Sequence, residues 1–203
     1  MSGCNLLQIL PPREFFVQRF TDRYPNNPHA IFLEGKTFLQ QGEPKKAAKR
    51  FRKALQLQPD FIEARLGLAH AYRDLEYYAD AYDLYKQVLA VTPANPQALE
   101  GAGVALARLR QYDLAEQHLR TALQLDPRSV SPLNALADLY YGQRQYARAI
   151  ESWDRSLAAD PGQDALRAMV EDLRGYVAKY GATGAGAAAA PAASPALPAT
   201  TAP

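Results

Sequence analysis

Three histidines, one cysteine and 21 carboxylates are the side chains of this 203-residue chain best suited to proton transfer, nucleophilic attack or metal binding. A metal site needs three or four converging ligands. His29 and His70 have only Glu63 as a plausible third ligand, and the two histidines are read as polar surface residues. His118 follows Leu114 and Ala115 and precedes Leu119, so it is placed beside an apolar face with its polar edge to solvent. No serine, histidine and acid are held together by any readable pattern, and the carboxylates are scattered without a pocket to tune them. Gly101-Ala102-Gly103 lacks the preceding strand that a phosphate-binding loop requires. A single cysteine, Cys4, excludes an internal disulfide. The reading is of a non-enzyme with no catalytic residue, no metal ligand and no cofactor.

The chain instead repeats. Pro25, Pro59, Pro93, Pro127 and Pro161 stand at a constant interval of 34 residues. Other columns keep the same register: Gly35, Ala69, Gly103 and Ala137; Ala47, Ala81, Ala115 and Ala149; Phe38, Tyr72, Leu106 and Tyr140; Phe51, Tyr85, Leu119 and Trp153; Ala54, Val88, Ala122 and Ser156. Fixed self-similarity of this length marks stacked units. Each unit reads as two helices. In the third, apolar residues recur at helical spacing from Pro96 to Leu109, a break follows at Arg110-Gln111-Tyr112, and Leu114, Ala115, His118, Leu119, Ala122 and Leu123 share a face of the second helix. Asp126-Pro127 ends it, because proline disfavours a helical conformation in the residue before it. The small columns let the two helices of a pair approach closely, and the aromatic columns fill the space around that contact. One such hairpin cannot bury its own apolar face, so its neighbours must complete the core.

These columns resemble the tetratricopeptide repeat family over four units, 28–61, 62–95, 96–129 and 130–163. The family's usual Trp near the start of the first helix is replaced by Ile31, Arg65, Leu99 and Leu133, and Glu34 stands where later units have Leu68, Ala102 and Leu136. The resemblance implies an all-α fold, a right-handed α-solenoid. An N-terminal half-repeat at 13–25 and a capping helix at 164–180 flank the four units. Leu166, Met169, Val170, Leu173, Val177 and Tyr180 form the cap's apolar face, with Asp164, Arg167, Glu171, Asp172 and Arg174 opposite. Residues 181–203 lack charge and consist almost wholly of Ala, Pro, Gly, Thr and Ser, a composition that cannot form a core.

The net charge of +2 is close to neutral. Its one basic run is Lys45, Lys46, Lys49, Arg50, Arg52 and Lys53, interleaved with Ala47, Ala48, Phe51 and Ala54. It is read as the solvated face of a helix, and nucleic acid is not expected as a partner, since no strip alternates basic and aromatic residues for base stacking. No run approaches the roughly 18 apolar residues of a membrane helix, and no secretory signal is recognisable. Ser2-Gly3-Cys4, however, resembles the end of a bacterial lipoprotein cleavage site, with Cys4 the lipidated residue and 1–12 a tether. The chain is taken for a bacterial protein, cytoplasmic as it stands, or anchored in the periplasm or outer membrane if an upstream signal precedes it; a membrane enters only through Cys4.

In the resembled family the first helices line a concave groove that takes an extended peptide or a helix. Carried over, that groove holds Phe32 and Lys36 in the first unit, Leu66, His70 and Arg73 in the second, Arg108 in the third, and Asn134, Asp138 and Tyr141 in the fourth. The family's two-carboxylate clamp for chaperone C-termini is missing, with Phe32, Lys36, Gly67, Gln97 and Gly101 at its positions. The expected partner is a protein or peptide with an apolar anchor and acidic groups. Three readings follow: an adaptor that binds a partner in its groove, a lipid-anchored envelope protein assisting assembly of a pilus or outer-membrane complex, and a module that oligomerises through its ends.

Overall fold

The computed structural model describes Val17, Thr21 and residues 23–181. The tether at 1–12, Cys4, most of the half-repeat at 13–25, and the tail from 182 lie outside the described residues. Among the described residues there are nine helices and no strand: α1 Pro28–Gln40, α2 Pro44–Leu57, α3 Ile62–Asp74, α4 Tyr78–Val91, α5 Pro96–Arg108, α6 Tyr112–Leu125, α7 Val130–Gly142, α8 Tyr146–Ala159 and α9 Asp164–Tyr180. The first helix of each pair has 13 residues and the second 14.

Local chemistry sets these bounds. Pro28, Pro44 and Pro96 occupy first-turn positions, where the missing N–H costs nothing. Asn27 Oδ1 accepts from the His29 and Ala30 amides at 2.9 and 3.3 Å, and Asn95 Oδ1 from the Ala98 amide at 2.9 Å. At the far ends of α2, α6 and α8, Gln58, Asp126 and Asp160 turn extended ahead of Pro59, Pro127 and Pro161. The break within each pair is also a repeated device. Gly42, Glu76, Arg110 and Arg144 all adopt the left-handed conformation, with φ of 71°, 63°, 61° and 59°. The next residue's amide then reaches back to the column of large residues: Glu43 to the Phe38 carbonyl, Tyr77 to Tyr72, Gln111 to Leu106 and Gln145 to Tyr140, at 2.8–2.9 Å. This is a Schellman closure, repeated four times.

The chain forms two compact units, one ending at Tyr77 and one beginning at Tyr78. In the first, α1 packs on α2, α2 on α3, and α1 approaches α3. Phe51 of α2 is fully buried and fills the space over two glycines. A Cβ added at Gly35 would stand 2.6 Å from its ring, and one at Gly67 2.7 Å. Ile31, Ala54, Phe61 and Ala64 continue this core. Glu34, the departure from the apolar column, is accounted for: its Oε2 lies 2.7 Å from Arg50 Nε of α2, so a half-buried ion pair replaces an apolar contact.

In the second unit α4 packs on α5, α5 on α6, α6 on α7, α7 on α8 and α8 on α9, and α5 approaches α7. Ala115, Leu119, Ala149 and Trp153 are fully buried, as their columns predict. A Cβ at Gly103 would meet Leu119 Cγ at 2.6 Å and the Ala115 carbonyl at 3.2 Å, which is the close helix approach expected of the small columns. Leu166, Val170 and Leu173 of α9 belong to the same cluster as Leu133, Tyr140, Tyr146 and Trp153. Helix α9 starts 34 residues after α7, in the register of a first helix. Leu114 departs from expectation: it is 43% exposed, because the face α6 buries runs through Ala115, Leu119, Ala122 and Leu123.

Candidate partner-binding site

The predicted site residues all lie on first helices, and each unit presents its own set. In the first unit, the Phe32 ring of α1 is half-buried, with ring centroids 5.8 Å from Phe51 and 5.1 Å from Phe61. Lys36, one turn further, is exposed, with Nζ 5.9 Å from the Phe32 centroid. Leu66 of α3 is buried at 9% exposure, so it serves the core and Phe32 is the more open apolar contact. His70 is half-buried, and burial first, then the Arg73 charge, pushes its pKa down to about 4. It is therefore neutral at pH 7. The Arg73 guanidinium donates to Asp74 Oδ1 from Nε at 3.2 Å and from Nη2 at 3.1 Å. His29 sits edge-on to Phe61 at 4.6 Å, a packing role. Among the described residues no three His, Cys, Asp or Glu side chains group closely enough to hold a metal.

In the second unit, the approach of α5 to α7 is marked by the Ser131 hydroxyl donating to Glu100 Oε1. Asn134 Nδ2 donates to Gln163 Oε1 at 3.1 Å, while its buried Oδ1 has no partner among the described residues. Asp138 touches water, yet the surrounding protein desolvates it enough to push its pKa up to about 6, and the Arg108 charge opposes that rise. Tyr141 is half-buried, with ring centroids 5.6 Å from Tyr146 and 5.7 Å from Trp153; burial is the main cause of its raised pKa. The acceptors this set presents to solvent are thus Glu100 and Asp138, with Arg108 exposed at the end of α5 and the Asn134 oxygen buried beneath them.

One polar cluster has no counterpart in the sequence reading. Glu116 Oε1 accepts from Tyr140 Oη at 2.9 Å and lies 2.9 Å from Arg120 Nη2 and 2.7 Å from Arg148 Nη2. Arg148 also stacks 3.9 Å from the Tyr140 centroid. Beside the cluster, where the second helices α6 and α8 stand apart, opens a cleft of about 330 Å³ that includes Arg120, Arg148, Arg155 and Glu151 in its lining. Its members come from three helices at unequal places in the repeat; Tyr140 belongs to a repeated column, but no column announces Glu116, Arg120 or Arg148.

The sequence model described as tetratricopeptide repeat matches residues 38–99 and 106–173. The protein CTR9 homolog of Arabidopsis thaliana is 36% identical over 104 residues, which are 51% of this chain and 10% of that protein. The TPR repeat-containing protein YpiA of Bacillus subtilis is 25% identical over 134 residues, 66% of this chain and 31% of YpiA. The chain spans only about a tenth to a third of the length of the curated relatives it matches, and these are both eukaryotic and bacterial. Among solved structures, the thermophilic TPR protein TTC0263 of Thermus thermophilus superposes with a TM-score of 0.69 at 22% identity, covering 79% of this chain and 88% of that one. Pseudomonas aeruginosa pilF superposes with a TM-score of 0.66 at 25% identity, covering 77% and 71%. The fold is that of these all-helical solenoids.

Proposed function

We propose that this chain, which belongs to the tetratricopeptide repeat family, is a non-catalytic scaffold that binds a peptide or helix of a protein partner on its first-helix faces. Proteins of this family generally mediate protein–protein interaction. The observation that carries the reading is the placement of Asp138: an exposed carboxyl on a first helix, where α5 approaches α7, within the field of Arg108 and crowded enough by protein to raise its pKa. No packing need of the repeat calls for an acid there, since the same slot holds Val104 in the preceding unit. Perturbed groups that the fold does not require mark functional surfaces. An open helix face with half-buried side chains favours a peptide over an enclosed small molecule.

The partner chemistry differs by unit. Phe32, Lys36 and Arg73 suit an apolar anchor beside an acidic group; Glu100 and Asp138, the carboxylates that reach solvent, suit a donor-bearing segment. Cations should speed encounter with acidic groups, and less so at high salt. The test is affinity capture by the full chain, followed by binding measurements with the captured partner. Arg73→Glu with Arg108→Glu should weaken binding at least tenfold with helical content unchanged. Retention by that variant, with loss on changing exposed residues of α6 or α8, would move the function to the second helices. A second reading, a lipid-anchored envelope protein assisting assembly of a pilus or outer-membrane complex, draws on the likeness to pilF and on Ser2-Gly3-Cys4.

A further inference from the structure

Charge is distributed very unevenly along this chain. Helix α2 holds Lys45, Lys46, Lys49, Arg50, Arg52 and Lys53 and no acid, a charge of +6 within 14 residues. The whole chain carries +2, so everything outside α2 sums to −4. Two of the six cations are matched: Lys46 Nζ lies 2.6 Å from Glu43 Oε2, and Arg50 pairs with Glu34. Lys45, Lys49, Arg52 and Lys53 form no ion pair among the described residues. At 100° per residue these four fall in one stripe, opposite the buried Ala47, Ala48, Phe51 and Ala54. Lys45, Lys49 and Arg52 are exposed and Lys53 is half-exposed.

We propose that this stripe of α2 docks the protein on an anionic lipid surface, independently of the first-helix faces. Four like charges with no ion pair among the described residues, set along about 12 Å of helix, repel one another, and the packing of the described residues supplies no reason to gather them. The stripe itself carries only polar side chains, Gln56 among them, and the exposed Leu57 lies past its edge, so it offers no central apolar anchor for an acidic peptide. It contains no aromatic side chain on which a base could stack, and three of its four cations are lysines, point charges that lack the arginine fork for reading bases. A membrane bearing anionic headgroups accepts any row of cations laid against it. Each contributes roughly a fivefold gain in binding, from about 1 kcal/mol per basic residue near such a surface.

Co-sedimentation of the full chain with vesicles tests this. Vesicles of phosphatidylcholine with about one phosphatidylserine in three should retain the protein at low salt, and pure phosphatidylcholine vesicles should not. Lys49→Glu with Lys53→Glu should lower retention at least about 25-fold, and molar salt should abolish it. Lys86→Glu with Arg128→Glu changes net charge equally and should leave retention within about twofold of the parent. Circular dichroism confirms that both variants are folded. No preference for anionic vesicles, equal loss in the two double variants, or tighter binding to duplex DNA than to the vesicles in the same buffer would each overturn the proposal.

Discussion

His70 in the first unit and Asp138 in the second occupy the same slot of the repeat, two periods apart. One is a base and the other an acid, yet both are pushed towards their neutral forms, His70 down to about 4 and Asp138 up to about 6. Burial is the leading cause in each case. Their arginines act differently: Arg73 adds to the fall at His70, whereas Arg108 resists the rise at Asp138. The repeat therefore fixes where this side chain sits, and at both places the surrounding protein disfavours charge, while its chemistry is left free. Buried columns such as Phe51 and Trp153 obey the opposite rule, with variation only among side chains that fill the same space.

The largest expected effect falls where the two units are alike. Phe51→Ala and Trp153→Ala each remove a fully buried ring, and each should cost about 3–5 kcal/mol, read by chemical denaturation. Phe51 also covers Gly67, one turn from His70. If the protein frame is what desolvates the slot, the surviving fold of Phe51→Ala should show His70 titrating closer to 6.5 by NMR. A costly Phe51→Ala with His70 unmoved would break the comparison.

A smaller effect appears as pH dependence. The unfolded chain takes up the His70 proton near 6.5 but the fold resists it to about 4, so this group lowers stability as pH falls through that window. Asp138 does the reverse: the fold holds its proton up to about 6, the unfolded chain only to about 3.8, so acidification from 6 to 4 raises stability. The two contributions oppose each other. Against the parent, His70→Gln should gain melting temperature on going from pH 6.5 to 4. Asp138→Asn should be the more stable protein at pH 7 and lose that advantage by pH 4. Parallel curves for parent and variants would show that the slot does not resist charge.

Most of the fold was legible because it is written in columns. The prolines, the small residues and the large buried residues marked the helix pairs, and α9 proved to begin in the same register. The face residues were harder. Leu66 reads as an open contact by position, but the helix turns it into the core. Leu114 reads as core and is solvated, because an apolar residue at the edge of a stripe looks the same as one at its centre. Tyr140 stood in a column, but its gathering of Glu116, Arg120 and Arg148 was invisible, since the cluster assembles from three helices at unequal register. The four left-handed turns were hidden for a different reason: only Gly42 advertises the conformation, and Glu76, Arg110 and Arg144 occupy it with ordinary side chains.

Those turns give the smallest effect and the sharpest check on register. A non-glycine residue in the left-handed region bears a steric cost of about 1–2 kcal/mol, and glycine's greater freedom in the unfolded chain returns part of that. Arg110→Gly and Arg144→Gly in the second unit should each stabilise by about 0.5–1 kcal/mol. Gly42→Arg in the first should destabilise by a similar amount, and nothing within 4 Å of a Cβ there adds a steric clash to that figure. Arg110→Ala keeps a Cβ in the strained conformation and should move stability by less than about 0.5 kcal/mol. Alanine and glycine at Arg110 are thus separated by backbone conformation alone, with no side-chain contact to confuse them. Denaturation midpoints that rank Gly with Ala would mean that this turn does not hold its left-handed residue in solution. The amide–carbonyl closures that end every first helix would then be in doubt at the same place in all four pairs.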